Sequence, residues 1–391
     1  MTSSEIGTGR PRGRAPFLEQ RTGFPETASP AVEPARVRQD AGLAPLAGNG
    51  LVRAADGRAY QLGRNENPFP PPASVINAIV RAAAEAHRYP DAPCEALSAE
   101  LARRFGVSSD RIVVGGGSIA LIHALLEATT EPGATVVYSW PSFDGYPLLA
   151  DLAGFRSVRV PLAEDGHDFP ALAAAVDEQT RLVLVCNPNN PTGEAASDDD
   201  LRRFLDSAPP TCPVLLDEAY CEYARDPGLG VRLLASYPNL IVARTFSKAY
   251  GLAGLRVGYL IADRSLISRV RRLVMPGSVN DVSQAAAIAS LEAEAELLDR
   301  VRRTVTERER VRAALLALGF DVPPSETNFL WLPLGSRSQA FAATCAAAGI
   351  NVRTYADEGV RVTIGAAQDN NVFLAAAEHH GWMRAARTLT P

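Results

Sequence analysis

The sequence predicts an α/β protein with a large domain, built on a mainly parallel seven-stranded sheet, and a smaller α+β domain. Short apolar runs rich in β-branched residues recur along the chain, and Ala/Leu/Arg-rich segments lie between them. Continuous apolar runs are typical of strands that are buried on both faces of a sheet. Near residue 283 the pattern changes to a long helical segment, which indicates the smaller domain.

The predicted strands of the large sheet are short and apolar: 111–115, 135–140, 157–162, 181–187, 212–220, 239–246 and 257–262. Helices are predicted at 118–130 and 198–208, because apolar residues recur there at helical spacing.

The smaller domain is predicted from four further elements: a long helical region at 283–319 that a kink could interrupt, strands at 327–334 and 359–365, and a final helix. We therefore expect a large domain at 73–282 and a small domain formed by 41–72 and 283–391. Residues 1–40 are rich in Pro, Gly, Ser, Thr, Glu and Arg, a composition that predicts a disordered tail.

Charge and composition exclude several classes of protein. The net charge of -5 argues against a nucleic-acid-binding protein, which would carry a basic domain. No apolar run reaches the roughly 18 residues of a membrane span, and no signal peptide is evident. The five cysteines are scattered without metal-ligand spacing, so the sequence predicts a cytoplasmic protein with reduced thiols and no metal site.

Lys248 is the sole lysine among the 39 lysine and arginine residues of the chain. An amine can lose its proton when it is buried and can then attack a carbonyl to form a Schiff base, whereas a guanidinium cannot. The alternative is that Lys248 is a chance survivor in a chain that favours arginine. The neighbouring residues decide between the two.

Polar residues follow several of the predicted strands, at the edge where open α/β sheets bind ligands. The glycines at 115–117 precede a helix that begins at Ser118, an arrangement that suits a phosphate, although a bare glycine turn explains it equally well. The segment "NPNNPTG" presents Asn190 from a rigid turn. In "LLDEAY", Asp217 ends an apolar run, where it needs a partner unless it only caps a helix.

These residues together indicate one ligand. It has a phosphate for the glycine turn, Ser247 and Arg256, and a carbonyl for Lys248. It also has a ring nitrogen for Asp217 and a flat face for Phe143. Pyridoxal 5'-phosphate has all four features.

From about residue 41 onward the chain resembles the fold type I pyridoxal-phosphate-dependent aminotransferases, in the histidinol-phosphate aminotransferase branch. The motifs "NPNNPTG", "DEAY" and "SKAYGLAGLRVG" carry the resemblance by their order and spacing. Within that branch, "GGGSIALI", "YSWPSFDGYP" and "GVRVTIGAAQDN" look most like the actinobacterial aromatic (phenylalanine) aminotransferases.

The resemblance implies a role for each matching residue. Lys248 forms the Schiff base and moves the substrate proton, Asp217 pairs with the ring nitrogen, and Phe143 stacks on the ring. By the same resemblance, Asn190 and Tyr220 bind the phenolic oxygen, and the phosphate is bound by Ser118, the Ile119 amide, Ser247 and Arg256. Tyr89 reaches the phosphate of the neighbouring subunit's cofactor. Arg361 binds the substrate carboxylate. The expected assembly is a homodimer with shared sites, and Asn65 is a further candidate for the substrate pocket.

Two departures from the family favour an aromatic or bulky apolar substrate over a phosphorylated imidazole. Ser118, Ile119 and Ala120 stand where histidinol-phosphate enzymes tend to carry an acidic pair, and Leu46 stands where a closing tyrosine is common. Three alternatives stay open: histidinol-phosphate transamination, a specialised decarboxylase, eliminase or oxidase on the same scaffold, and a regulatory protein that uses the domain as a sensor.

Overall fold

The computed structural model describes Arg53, residues 57–164 and residues 166–379. The predicted tail at 1–40 and the predicted lid residue Leu46 lie outside the described residues. Within them, no helix has both the length and the apolar character that a membrane span requires.

The strands of this part of the chain are, in order, β1 (Tyr60–Gln61), β2 (Ile112–Gly115), β3 (Thr135–Trp140), β4 (Arg156–Pro161), β5 (Thr180–Cys186), β6 (Val214–Asp217), β7 (Leu240–Thr245), β8 (Gly258–Ile261), β9 (Phe329–Leu332), β10 (Ile350–Asn351), β11 (Arg353–Tyr355) and β12 (Gly359–Thr363). The α-helices are α1 (Ala73–Ala83), α2 (Glu95–Phe105), α3 (Ser118–Thr129), α4 (Tyr146–Leu152), α5 (Phe169–Ala174), α6 (Asp198–Ser207), α7 (Leu229–Leu233), α8 (Arg264–Arg271), α9 (Asp281–Glu292), α10 (Glu294–Ala317), α11 (Ser338–Ala347) and α12 (Ala367–His379).

A seven-stranded sheet forms the centre of the fold, with the strand order β2-β8-β7-β6-β5-β3-β4. β8 runs antiparallel to both of its neighbours, and the other pairs are parallel. The mainly parallel α/β sheet predicted from the sequence is therefore confirmed. The carboxyl ends of β2, β3, β5, β6 and β7 meet at one edge, because β2 and β7 both run opposite to β8 between them.

Helices cover both faces of this sheet, as the continuous apolar strands predicted. Along β3, Val136 and Tyr138 belong to a core that packs against α3, α4 and α8, whereas Val137 belongs to the opposite core with α1, α2, α6, α7 and α9. The predicted strand at 212–220 is too long, since β6 ends at Asp217 and the chain then turns.

A smaller antiparallel sheet of order β11-β12-β9 packs with α10, α11 and α12 around a third core. β1 pairs in parallel with β10, which joins the segment before α1 to the C-terminal part of the chain. The long predicted helical region is interrupted at Ala293, between α9 and α10. The division into two domains at residues 73 and 282 stays a prediction.

Candidate active site

A cavity of about 190 Å³ opens at the carboxyl edge of the central sheet. All the predicted site residues except Tyr89 line it: Asn65, Ser118, Ile119, Phe143, Asn190, Asp217, Tyr220, Ser247, Lys248, Arg256 and Arg361. Loops after five different strands, together with the small sheet, bring them to one place. The described residues contain no cluster of side chains that could hold a metal ion.

The glycine turn after β2 and the guanidinium of Arg256 form one end of the cavity. Gly117 has φ +91°, and a Cβ at this position would lie 2.5 Å from Arg256 Nη2. Arg256 in turn donates from Nη1 to Ser247 Oγ at 3.2 Å. The N-terminus of α3, a hydroxyl and a cation thus converge, an arrangement that suits a phosphate.

The Lys248 side chain reaches into the cavity from the turn after β7. Its Nζ donates to the Arg64 carbonyl at 3.2 Å and lies 5.8 Å from the centre of the Tyr220 ring. Burial, together with the positive charges of Arg361 and Arg256, lowers the pKa of this amine from 10.5 to about 8. A substantial fraction is therefore neutral, and nucleophilic, at moderately alkaline pH.

Asp217 lies buried at the end of β6, where its carboxylate has only part of its hydrogen-bonding capacity used. Tyr146 donates its hydroxyl to Asp217 Oδ2 at 2.8 Å. The other oxygen, Oδ1, is buried without a hydrogen-bond partner among the described residues. Burial raises the pKa of this carboxyl from 3.8 to about 6. Because buried acceptors are normally hydrogen-bonded, Oδ1 is placed to accept a donor from a ligand.

Asn65 joins the small sheet to Tyr220. This residue adopts φ +54°, and its Nδ2 donates to the Tyr220 hydroxyl oxygen at 2.8 Å. Its backbone N–H donates to Thr363 Oγ1 at 2.9 Å, and Thr363 Oγ1 donates back to Asn65 Oδ1 at 3.0 Å. Since the Tyr220 oxygen already accepts one bond, its own proton remains available for a ligand.

Arg361 is held in place by three groups around its guanidinium. Nη2 donates to the Gly63 carbonyl at 2.8 Å, and Nη1 donates to the Tyr355 hydroxyl at 3.1 Å and, in a short contact, to Asn190 Oδ1. Its Nε is buried and makes no hydrogen bond within the described part of the chain. The fork is therefore fixed beside Lys248, with donor capacity still unused.

Two predicted site residues lie at the surface. Tyr89 is 99% exposed and lies outside the cavity, and Ile119 lines the cavity but is 43% exposed. Phe143, by contrast, is half-buried and packs edge-to-face on Tyr146, with ring centres 5.3 Å apart. The cavity therefore has an aromatic side chain, Phe143, in its lining and an exposed residue, Ile119, at its rim.

Several residues of the site were not found from the sequence. Arg64 and Asp144 line the cavity, while Tyr146 and Tyr355 hold Asp217 and Arg361 from behind. Tyr146 lies within the quoted segment "YSWPSFDGYP", but nothing in its local pattern points to a carboxylate 71 residues away. Only the three-dimensional fold shows which buried hydroxyl groups lie next to an ionisable site residue.

A mainly parallel α/β sheet whose carboxyl edge carries a buried lysine with a lowered pKa is typical of one class of cofactor-dependent enzyme. The sequence profile described as "Aminotransferase class I and II" matches residues 59–379, and the chain belongs to this family. This membership confirms the fold type I aminotransferase that the sequence motifs predicted.

Named relatives make the similarity more specific. The chain is 56% identical over 328 residues to an aromatic amino acid aminotransferase from Thermobifida fusca, covering 83% of this chain and 91% of that protein. It is 49% identical over 333 residues to one from Streptomyces coelicolor, covering 84% and 93%. Among solved structures it resembles a histidinol-phosphate aminotransferase from Sinorhizobium meliloti in complex with pyridoxal-5'-phosphate, with a TM-score of 0.78, 31% identity and coverage of 85% and 92%.

Proposed function

We propose that this chain binds pyridoxal 5'-phosphate and transfers an amino group from an aromatic or bulky apolar L-amino acid to a 2-oxo acid. The observation that carries the proposal is one cavity that contains the sole lysine, with a lowered pKa, and a buried Asp217 oxygen that has no hydrogen-bond partner in the part of the chain that the structure describes. The names of the relatives from Thermobifida fusca and Streptomyces coelicolor support the aromatic substrate.

The residues present fit the cofactor at each of its polar groups. Asp217 Oδ1, which has no donor among the residues that the structure describes, would accept from a protonated ring nitrogen. Ser118, the Ile119 amide, Ser247 and Arg256 would hold the phosphate at the start of α3. Asn190 and Tyr220 would donate to the phenolic oxygen, and Phe143 would cover the ring.

The bound cofactor supplies a carbonyl that takes up the amino group and a ring that accepts electron density from the substrate. Lys248 Nζ, at a pKa of about 8, would take the proton from the substrate Cα and deliver it to the carbon of the cofactor's former carbonyl, the shift that leaves the amino group on the cofactor. Arg361 binds the α-carboxylate through its planar fork, which Tyr355 and the Gly63 carbonyl hold in position.

An absorbance spectrum of the purified protein tests this function. We expect a visible band that single additions of L-Phe, L-Tyr or L-Trp remove and a 2-oxo acid restores. L-His, L-Glu and L-histidinol phosphate serve as comparison donors, and Lys248→Ala is the control that should lack both band and turnover. A protein that shows no band after pyridoxal 5'-phosphate is added would contradict the proposal.

The assembly that we propose is a cytoplasmic homodimer, in which 73–282 forms a large domain and 41–72 with 283–391 a small one. The fully exposed Tyr89 supports it, since a tyrosine outside its own cavity can reach a partner's phosphate. All five cysteines are buried and free, in keeping with a reducing compartment.

Subunit mixing tests the shared site. Dimers that combine a Lys248→Ala subunit with a Tyr89→Ala subunit contain one complete site, so mixing two inactive variants should restore activity. If unfolded mixtures refold as dimers without regaining activity, the sites are not shared.

A further inference from the structure

Arg353 lies directly beside Arg361 in the small sheet. The two are paired residues of the antiparallel strands β11 and β12. Side chains of such a pair extend from the same face of the sheet, with Cβ atoms about 5 Å apart. Two neighbouring guanidinium groups of this kind would suit a substrate with two anionic groups, one for each arginine.

Asp144 forms an ion pair with the second of these arginines, Arg353. Its Oδ2 forms a short ion pair with Arg353 Nη2, and the side chains are 22% and 21% exposed. Asp144 follows the predicted stacking residue Phe143 and itself lines the cavity. The pair therefore places a neutralised charge, rather than a free cation, next to the residue that would bind the substrate carboxylate.

The backbone around this pair has its own support. Trp140 Nε1 donates to Glu358 Oε1 at 3.1 Å, which connects the β11–β12 hairpin to the end of β3. Tyr355, on the same strand as Arg353, contacts Arg361 and Asn190. The hairpin is thus held in place without Asp144, so a substitution there changes charge more than position.

We propose that Asp144 is a specificity-determining residue: by neutralising Arg353 it makes the site select apolar over anionic substrate side chains. This inference rests on the proposed function and adds the group that enforces its substrate class. An anionic side chain would need to displace Asp144 from Arg353 or remain next to an unpaired carboxylate. An apolar ring faces no such competition. Asp144, and not Arg353, lines the cavity, so Arg353 faces the substrate site from behind this carboxylate. Arg64, an arginine of the cavity lining with no assigned role, is exposed to solvent, which screens its charge.

The inference is tested by calorimetric titration of the cofactor-loaded protein with two carboxylates that cannot be transaminated. Succinate carries a second anionic group, whereas 3-phenylpropionate carries an aromatic ring. The measured quantity is the ratio of the succinate Kd to the 3-phenylpropionate Kd. Asp144→Asn, which keeps the shape of the side chain, should lower this ratio about tenfold by freeing Arg353.

The opposite substitution should act in the opposite direction. Arg353→Gln leaves Asp144 uncompensated and should raise the ratio, and the double variant should return near the wild-type value because both charges are gone. Transamination of L-Glu relative to L-Phe should follow the same order. Unfolding midpoints and the visible band verify that each variant is folded and loaded.

Three results would overturn the inference: a ratio unchanged within about twofold in Asp144→Asn, both single variants moving it in one direction, or neither probe binding at all. Only the last of these, together with a missing visible band in the wild type, would also remove the proposed function. A wild type that shows the band and binds 3-phenylpropionate, with an unmoved ratio, removes this inference alone.

Discussion

Replacing Tyr146 with phenylalanine removes the hydroxyl that donates to Asp217 Oδ2 at 2.8 Å and leaves the ring in place. Both residues are buried, so Asp217 Oδ2 is left poorly solvated when this donor is removed. A hydrogen bond to a charged group contributes about 1.5–3 kcal/mol. We expect Tyr146→Phe to lower the free energy of unfolding of the cofactor-free protein by about 2 kcal/mol at pH 8.

Tyr138→Phe is the matched control. Tyr138 is also fully buried, and its ring lies 5.7 Å from that of Tyr146. Its hydroxyl has no hydrogen-bond partner among the residues that the structure describes. Removing it breaks no hydrogen bond and relieves the desolvation cost of an unpaired hydroxyl, so the free energy of unfolding should stay the same or rise by about 1–3 kcal/mol, and should not fall.

The assay is equilibrium urea unfolding at pH 8 and at pH 5. Because burial raises the pKa of Asp217 to about 6, this carboxyl is mostly neutral at pH 5, and the loss should fall to about 0.5–1.5 kcal/mol. The Tyr146 bond also holds the Asp217 pKa down, so its loss should weaken pyridoxal 5'-phosphate binding. If Tyr146→Phe and Tyr138→Phe unfold alike at both pH values, the hydrogen bond does not stabilise this carboxylate.

Three further predictions concern the same cavity. Since the pKa of Lys248 is lowered to about 8, cofactor-free protein should regain its visible band at a rate that rises with pH to about 8 and then levels off. The Asp217 pKa is raised on folding from 3.8 to about 6, so its contribution to stability is complete below pH 3.8 and is lost as pH rises through 6. Cofactor-free Asp217→Asn should therefore match wild type near pH 4 and exceed its free energy of unfolding by about 3 kcal/mol above pH 7. Gly117→Ala should weaken cofactor binding about tenfold, because its Cβ would lie 2.5 Å from Arg256 Nη2. Gly133→Ala, at a similarly positive φ but with no atom within 4 Å, should share only the backbone strain.

Each of these has a measurement that decides it. A rate of band recovery that keeps rising to pH 10 would show an ordinary lysine pKa. Unfolding curves of Asp217→Asn that parallel wild type at every pH would show that Asp217 does not titrate near 6. Equal cofactor affinity in Gly117→Ala and Gly133→Ala would mean that the turn does not position Arg256.

The sequence by itself determined the parts that depend on local pattern. Buried strands appear as apolar runs, so the sheet and its carboxyl edge were predictable, and with them the positions of Lys248, Asp217 and Asn190. The glycine turn before α3 was also predictable, because positive φ restricts the choice of residue. The end of β6 required correction and the break at Ala293 required definition, and the short strands β1, β10 and β11 were not predicted at all.

The tertiary structure decided which side chains meet across the cavity. Tyr146 contacts Asp217, Asn65 contacts Tyr220, and Asp144 pairs with Arg353 across separations of 71, 155 and 209 residues. Hydrogen bonds and ion pairs between residues so far apart in the sequence leave no periodic pattern in it, because each depends on how two separately formed elements pack. For the same reason, the sequence showed that arginines are abundant, and only the fold showed which one lies beside Arg361 and that a carboxylate already neutralises it.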